Sequence, residues 1–582
     1  MEKKKTVIYS IVALVALALL VVGATYAYFQ NQYGSASNAD VKVTTYTTDT
    51  LTFETGSNIS ITADQETFAQ GKGNQTGQTF ARATLQANNK TNIATANYYM
   101  YLNIENNTFT YTNTGTPELI LQVVDKTSGN PVTSITGLDY VTVTDGKNTS
   151  ISGFDITNKK GLIALFSNKE ISASPKTIEE YTITITLVNH SFDQNANTGK
   201  SFSGKLIIQK EKMITSVSDV AKNGDNLATV LETLGTKGDS SLTGLYHHDA
   251  NLTNGAGDNS YRFAGANPNN YVCFGSDDTT CLTENLYRII GVIDGKVKLI
   301  LADGAPTTML GTDEEYAKTY QAAFGSNSSY YKGNGDLTKI GTYKWNKTYD
   351  NTWSTSTTNT INLNKNFLAY LDGKNAKWKT MIDDTTWYVG GMTGTNGYQS
   401  NAKTAYNYEV GANKDATTTV TSKIGLMYVS DYYYAASKDY WTLPGFDSSK
   451  NDYRNAVNDN WLYTGLYEWT LSRNSVGSGS AFGVYAAGCV SYVSVGYSLG
   501  NVLRPSFSLS SSIKFTSGEG TAVNPIRINL WWGDYACLGR KGWACGVQNC
   551  AVSSKCKKLC ENVYEGMSAK CRHGVRQKKR LI

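Results

Sequence analysis

Histidine is the scarcest informative residue of this chain: four occur among 582. Hydrolytic and metal centres built on imidazoles need several convergent side chains, so this count argues against them. The one cluster, His247-His248-Asp249, lacks further ligands at supporting spacing and reads as a solvated loop. Proline is nearly as rare, at eight. No phosphate loop of the Walker type occurs, no Gly-x-Ser-x-Gly elbow stands in a hydrolase context, and no LPxTG-type wall-sorting signal is present. These absences leave no catalytic residues, metal ligands or cofactor to assign, and an enzyme is the weakest of the function classes. Charge is sparse as well, 17%. From Leu530 onward eleven Lys and Arg stand against three acidic residues, so the +5 of the whole chain is a tail of +8 on a body of −3. Nucleic acid is not implied for that body.

What the chain does have is tyrosine (39), glycine (53) and abundant Thr, Ser and Asn. That composition favours an exported, mainly β or α+β architecture. Lys3-Lys4-Lys5 precede a charge-free run from Thr6 to Phe29. The run is long enough to span a bilayer and is oriented with its N-terminus in the cytoplasm. It also closes on Gly23-Ala-Thr-Tyr-Ala27, small residues suited to cleavage after Ala27. Residues 1–29 are therefore a signal peptide or a transmembrane anchor. Residues 30–212 read as an antiparallel β-sandwich, with alternating runs at 98–104, 118–124, 140–144, 181–187 and 204–209 separated by turn signals. Asp193-Gln-Asn-Ala-Asn197 is off the EF-hand spacing and reads as a hairpin turn.

Residues 213–243 form a helical linker, with Leu227, Val230, Leu231 and Leu234 on one face and Gly235 as the stop. Residues 244–529 form a second domain. In it Cys273 and Cys281 are placed for a local disulfide, and Asp294-Gly295 for a type I′ hairpin. Residues 367–381 read as helix, 387–391 and 424–429 as strands, and 333–359 and 393–421 as long loops. Residues 530–582 hold six of the nine cysteines. This basic tail is open to three readings: a disulfide module, a weakly spaced zinc site, or a non-native or disordered read-through.

The second domain is organised around residues 461–509. Val484, Gly488, Val490, Val493 and Val495 make a small apolar skeleton. Tyr485, Ala486, Cys489, Ser491, Tyr492, Ser494 and Tyr497 fill its gaps, with Trp469 and Arg473 beside them. Tyrosine gives rigid amphipathic contact area and serine adapts to it, the chemistry of a binding face. These nine residues are the candidate ligand-binding set, expected on one exposed patch. Cys489 there could pair with another exported protein. The other tryptophans, Trp345, Trp353, Trp378, Trp387, Trp441 and Trp461, read as core.

The strings YRFAGANPNNYVCFG, NLYRIIGV, KIGLMYVSD, LYEWTLSRNS and RPSFSL resemble bacterial cell-surface domains of the C-type-lectin-like fold. Among these are variable proteins diversified by retroelements that mutate adenines near the gene's 3′ end. The ending GATYAYF and the following β domain resemble the exported camelysin and biofilm-fibre proteins of Gram-positive bacteria. The resemblance implies a surface-displayed, adhesin- or receptor-like protein of a Gram-positive bacterium that binds an unidentified protein or glycan. The alternative it leaves open is a structural subunit of an extracellular fibre or surface layer. The Glu-Pro-Asn, Gln-Pro-Asp and Trp-Asn-Asp strings of calcium-dependent sugar binding are missing, as is the reactive cysteine pair of formylglycine-generating enzymes.

Overall fold

The computed structural model describes residues 49–69, 72–88 and 93–530, and the chain is mainly β with antiparallel sheets. The signal or anchor segment and nearly all of the basic tail lie outside the described residues. Among those described, no helix is long and apolar enough to cross a membrane.

Ten strands form the first unit: β1 (Thr50–Thr55), β2 (Ile59–Thr62), β3 (Gln75–Gln86), β4 (Ala94–Asn107), β5 (Leu119–Asp125), β6 (Tyr140–Thr144), β7 (Ser150–Asp155), β8 (Gly161–Ala173), β9 (Lys176–Leu187) and β10 (Ser201–Gln209). They make two sheets, ordered β1-β3-β9-β5-β7-β6 and β2-β10-β4-β8. Alternation explains how these face each other. Leu121, Val123, Ile183 and Ile185 of the first sheet and Met100, Leu102, Ile104 and Phe202 of the second bury into one core. Five of the strands coincide with alternating runs in the sequence. Strand β3 was hidden because alanines, Ala81 and Ala83, do part of the burying. The segment Asp193–Asn197 is not a hairpin turn. It carries the chain from β9 in one sheet to β10 in the other, through a 3₁₀ turn at Asn195–Asn197. Its Gln194 and Asn197 are buried because both donate to the buried carboxylate of Glu118, at 3.0 and 2.5 Å.

A helix, Leu227–Lys237, follows, with the Asn226 side chain accepting from the Thr229 amide at 3.1 Å. Leu227, Val230, Leu231 and Leu234 are buried on the second unit. The helix runs through Gly235 instead of stopping there. The Tyr261 ring lies 2.4 Å from where a Cβ would be, so this glycine serves close packing, and Gly238 closes the helix.

The second unit has its own core, which among the described residues begins at Val217. Its strands are β11 (Leu245–His247), β12 (Tyr261–Phe263), β13 (Tyr271–Cys273), β14 (Leu286–Ile293), β15 (Lys296–Leu301), β16 (Tyr316–Thr319), β17 (Gly341–Tyr343), β18 (Thr385–Tyr388), β19 (Thr419–Ser422), β20 (Glu468–Arg473), β21 (Ser480–Val484), β22 (Val490–Ser494), β23 (Asn501–Val502), β24 (Ser506–Ser508), β25 (Ile513–Ser517) and β26 (Arg527–Leu530). One sheet runs β11-β12-β14-β15-β24, with β13 also on β14. Another runs β16-β17-β23-β20-β21-β22, and two two-stranded sheets, β18-β19 and β25-β26, complete the set.

Asp294 and Gly295 both take positive φ, 49° and 70°, and turn β14 into β15 as expected. Cys273 and Cys281 are disulfide-bonded, with Cα atoms 5.9 Å apart. Other local readings are corrected. The helix expected at 367–381 starts earlier, at Thr358, and breaks at Asn375, whose side chain caps the short helix Ala376–Thr380. Residues 424–428 are extended with one isolated bridge, and Val429–Tyr434 is helical. The two "long loops" contain β17, the helix Ala402–Glu409 and β19. His248 is fully buried rather than solvated, between the Tyr434 and Trp441 rings.

Candidate functional site

The central stretch folds as three consecutive strands, β20, β21 and β22, with β22 at the outer edge of its sheet. The pairing Val484↔Val490, Gly483↔Ser491, Phe482↔Tyr492, Ala481↔Val493 fixes which side chains share a face. The turn is pinned by Tyr485 N–H to Cys489 C=O at 2.9 Å, and the far end by Val495 N–H to Gly479 C=O at 3.0 Å. Hydrogen-bonded pairs alternate between these limits, so Val490, Tyr492 and Ser494 direct their backbone groups away from β21. Val490 N–H is taken by Gly445 C=O at 2.9 Å, and Ser494 C=O by Tyr497 N–H at 3.0 Å. The N–H and C=O of Tyr492 point out from the sheet edge.

Strand parity splits the predicted patch. Tyr492, 42% exposed, lies on one face over Phe482 (6.4 Å between ring centroids), with Tyr398 packed edge-on at 5.5 Å. Tyr398 in turn meets Phe446 at 6.2 Å, and the Arg454 guanidinium sits over Phe446 at 5.5 Å. Exposed Ser494 shares the parity of Tyr492. Half-buried Ser491 is on the opposite face. Tyr485 and Tyr497 belong to a separate aromatic group: Tyr485 contacts Tyr467 at 5.5 Å, Tyr467 contacts Phe324 at 4.5 Å, and Phe324 contacts Tyr497 at 6.5 Å. Adjacent strand residues point to opposite faces, so one continuous patch of all nine residues does not form.

Three of the nine are buried. Trp469 is fully buried, its indole N–H donating to Tyr343 C=O at 2.7 Å. Ala486 is buried, and its carbonyl accepts from the Tyr463 hydroxyl at 2.6 Å. Cys489 is buried and free, and burial pushes its thiol up to about 11, so it is not a surface thiol ready to pair. Arg473 is half-buried and committed to structure, donating to Val389 C=O at 3.2 Å and Asn351 Oδ1 at 2.9 Å. The apolar skeleton is as expected at Val484, Gly488, Val490 and Val495, while Val493 is half-buried.

Tyr398, Phe446 and Arg454 were missed. They come from loops and turns that only the tertiary fold brings to β22, and their sequence neighbourhoods carry no periodic signal. All seven tryptophans of the second unit are buried, Trp469 included. Among the described residues no group of three or more His, Cys, Asp and Glu side chains is placed to hold a metal ion. The site is therefore an aromatic and hydroxylic surface at a sheet edge, suited to contact and hydrogen bonding. Compared with protein-family models and with curated proteins, the chain matches none.

Proposed function

We propose that the chain is an exported binding protein, displayed on a bacterial surface, whose C-type-lectin-like second domain holds a protein or glycan ligand. The observation that carries this reading is Tyr492: a large aromatic left 42% exposed at an open strand edge, braced by Tyr398 and Phe446. Exposed aromatics on rigid supports dominate binding energies. The β-sandwich is the stalk or assembly unit, and residues 482–509 are the segment open to diversification. The test pairs purified full chain with intact bacterial cells and a panel of surface glycans and proteins. Tyr492→Ala should lose retention by about tenfold while its stability changes by no more than about 1 kcal/mol. Equal retention by parent and variant on every surface would remove the site. Protection of the body from added protease in intact cells would remove the surface location.

The second reading, a fibre or surface-layer subunit, draws on the four sheet edges β1, β6, β2 and β8 of the first unit. Open edges are templates for pairing with another chain. Concentration-dependent filaments that survive deletion of residues 244–530 would favour it.

A further inference from the structure

Three ionisable side chains lie buried inside the second unit. Lys298 lies on β15, Asp431 in the helix Val429–Tyr434, and Glu409 at the end of the helix Ala402–Glu409. They are 5%, 3% and 1% exposed. Lys298 Nζ lies 2.5 Å from Asp431 Oδ2, and Arg262 Nη1 lies 3.2 Å from Asp431 Oδ1. The Tyr428 and Trp387 rings flank the ammonium at 4.6 and 5.5 Å. Asp258 balances Arg262 at 2.8 Å. Glu409 accepts from the amides of Val429 and Ser430, both at 3.0 Å, and from the hydroxyls of Ser430 and Ser472.

We propose that Lys298 and Asp431 condense into an intramolecular isopeptide bond that ties β15 to the helix Val429–Tyr434.

The fold holds the Lys298 nitrogen 2.5 Å from an oxygen of the Asp431 carboxyl, which replaces an encounter by proximity. In water a lysine ammonium and an aspartate carboxylate do not react. In a desolvated site the neutral amine and neutral acid come within reach, because each charge has lost its hydration. Burial lowers the affinity of Lys298 for its proton, which brings the neutral amine closer. One proton passes from Nζ to Oδ2. The nitrogen lone pair then attacks Cγ, and the oxyanion that develops on Oδ1 faces the Arg262 guanidinium. A second proton passes from Nζ to the Oδ2 hydroxyl, the oxyanion on Oδ1 collapses to the amide carbonyl as the Cγ–Oδ2 bond breaks, and Oδ2 departs as water. The balance closes as ammonium plus carboxylate giving amide plus one water, with no oxidant, metal or other co-reactant.

A bond between residues 133 apart in sequence would close a long loop in a domain whose described residues contain a single disulfide, Cys273–Cys281, spanning only eight. Removing unfolded-state freedom over a longer loop stabilises more.

The experiment is mass spectrometry of purified full chain with its disulfides reduced and alkylated. The expected result is a mass short by one water and a tryptic species joining the Lys298 peptide to the Asp431 peptide, uncleaved at Lys298. Lys298→Arg keeps the charge but cannot form this bond, and it should show the unlinked mass and a lower melting temperature. Recovery of Lys298 and Asp431 in separate unmodified peptides from cooperatively melting parent protein would overturn the proposal. So would a water loss that persists in the arginine variant.

Discussion

The indole N–H of Trp469 donates to the backbone carbonyl of Tyr343 at 2.7 Å, tying β20 to β17 across the intervening β23. Trp345 reciprocates, donating from its indole to Thr470 C=O at 3.0 Å. This pair makes the centre of the candidate stretch a core rather than a surface. Trp469→Ala should therefore destabilise the domain by about 3–5 kcal/mol, as large aromatic-to-alanine changes in cores do. Denaturant melts of the two proteins check this, and a change below about 0.5 kcal/mol would return Trp469 to the surface.

Tyr492 and Val490 share one strand parity but have opposite fates. Val490 is fully buried and Tyr492 is 42% exposed. Tyr492→Ala should alter stability by no more than about 1 kcal/mol, losing mainly its ring contacts with Tyr398 and Phe482. Val490→Asp should unfold the domain, because an unpaired charge would be buried. Val493→Asp should fall between them, as its half-buried side chain allows the carboxylate to reach water.

Thiol chemistry separates the three described cysteines. Non-reducing peptide mapping should recover Cys273 joined to Cys281. Cys489 should resist alkylation in the native protein and react on unfolding, since burial both hides the thiol and keeps it protonated. Rapid native labelling of Cys489 would contradict the packing of the β21–β22 turn.

Acid should act through two buried groups that oppose each other. His248 Nδ1 accepts from the Ala256 amide at 3.1 Å, and its Nε2 has no hydrogen-bond partner among the described residues. Burial, reinforced by Arg262, depresses its proton affinity well below the ordinary 6.5. The unfolded chain therefore binds the extra proton, and stability is lost as pH falls below about 6.5. Burial raises Glu409 from 4.5 to about 7, so the folded chain binds that proton, and this contribution is full below 4.5 and lost as pH rises through about 7. As pH falls below about 6.5 the two slopes oppose each other. Melting temperature of the parent should change less with pH there than either group alone would make it change. His248→Leu should unmask the carboxyl alone, with melting temperature rising as pH falls from about 7 to 4.5. A flat profile for that variant would show that Glu409 stays ionised throughout.

A glycine change tests close packing. A Cβ on Gly291 would lie 2.1 Å from the Tyr261 carbonyl across the β12–β14 pairing. Gly291→Ala should lower the melting temperature, although alanine outside such a contact stabilises a chain by about 0.4–1 kcal/mol. An unchanged melting temperature would mean that β12 can move away at no cost.

Local chemistry decided much of this molecule before any tertiary contact. The alternation in 181–187 made a strand with one buried face, Leu227 to Leu234 made a helix with one buried stripe, Asp294-Gly295 made a turn, and a separation of eight between Cys273 and Cys281 made a disulfide. Each of these depends on periodicity or spacing within a few residues. The tertiary structure decided what such short-range rules do not reach. Whether Trp469 faces the core depends on Tyr343, and whether Gly235 ends a helix or admits a ring depends on Tyr261. Burial of His248 depends on Tyr434 and Trp441. The candidate binding edge shows the same division. The sequence singled out tyrosines, serines and a valine skeleton, and strand parity already parts Tyr492 from Ser491, but β-pairing register decided which of the two faces is exposed, and loops distant in sequence supplied Tyr398, Phe446 and Arg454. Composition determines which side chains tolerate exposure. Which of them are exposed together is set by long-range pairing, because a shift of one residue in register exchanges the two faces of a strand.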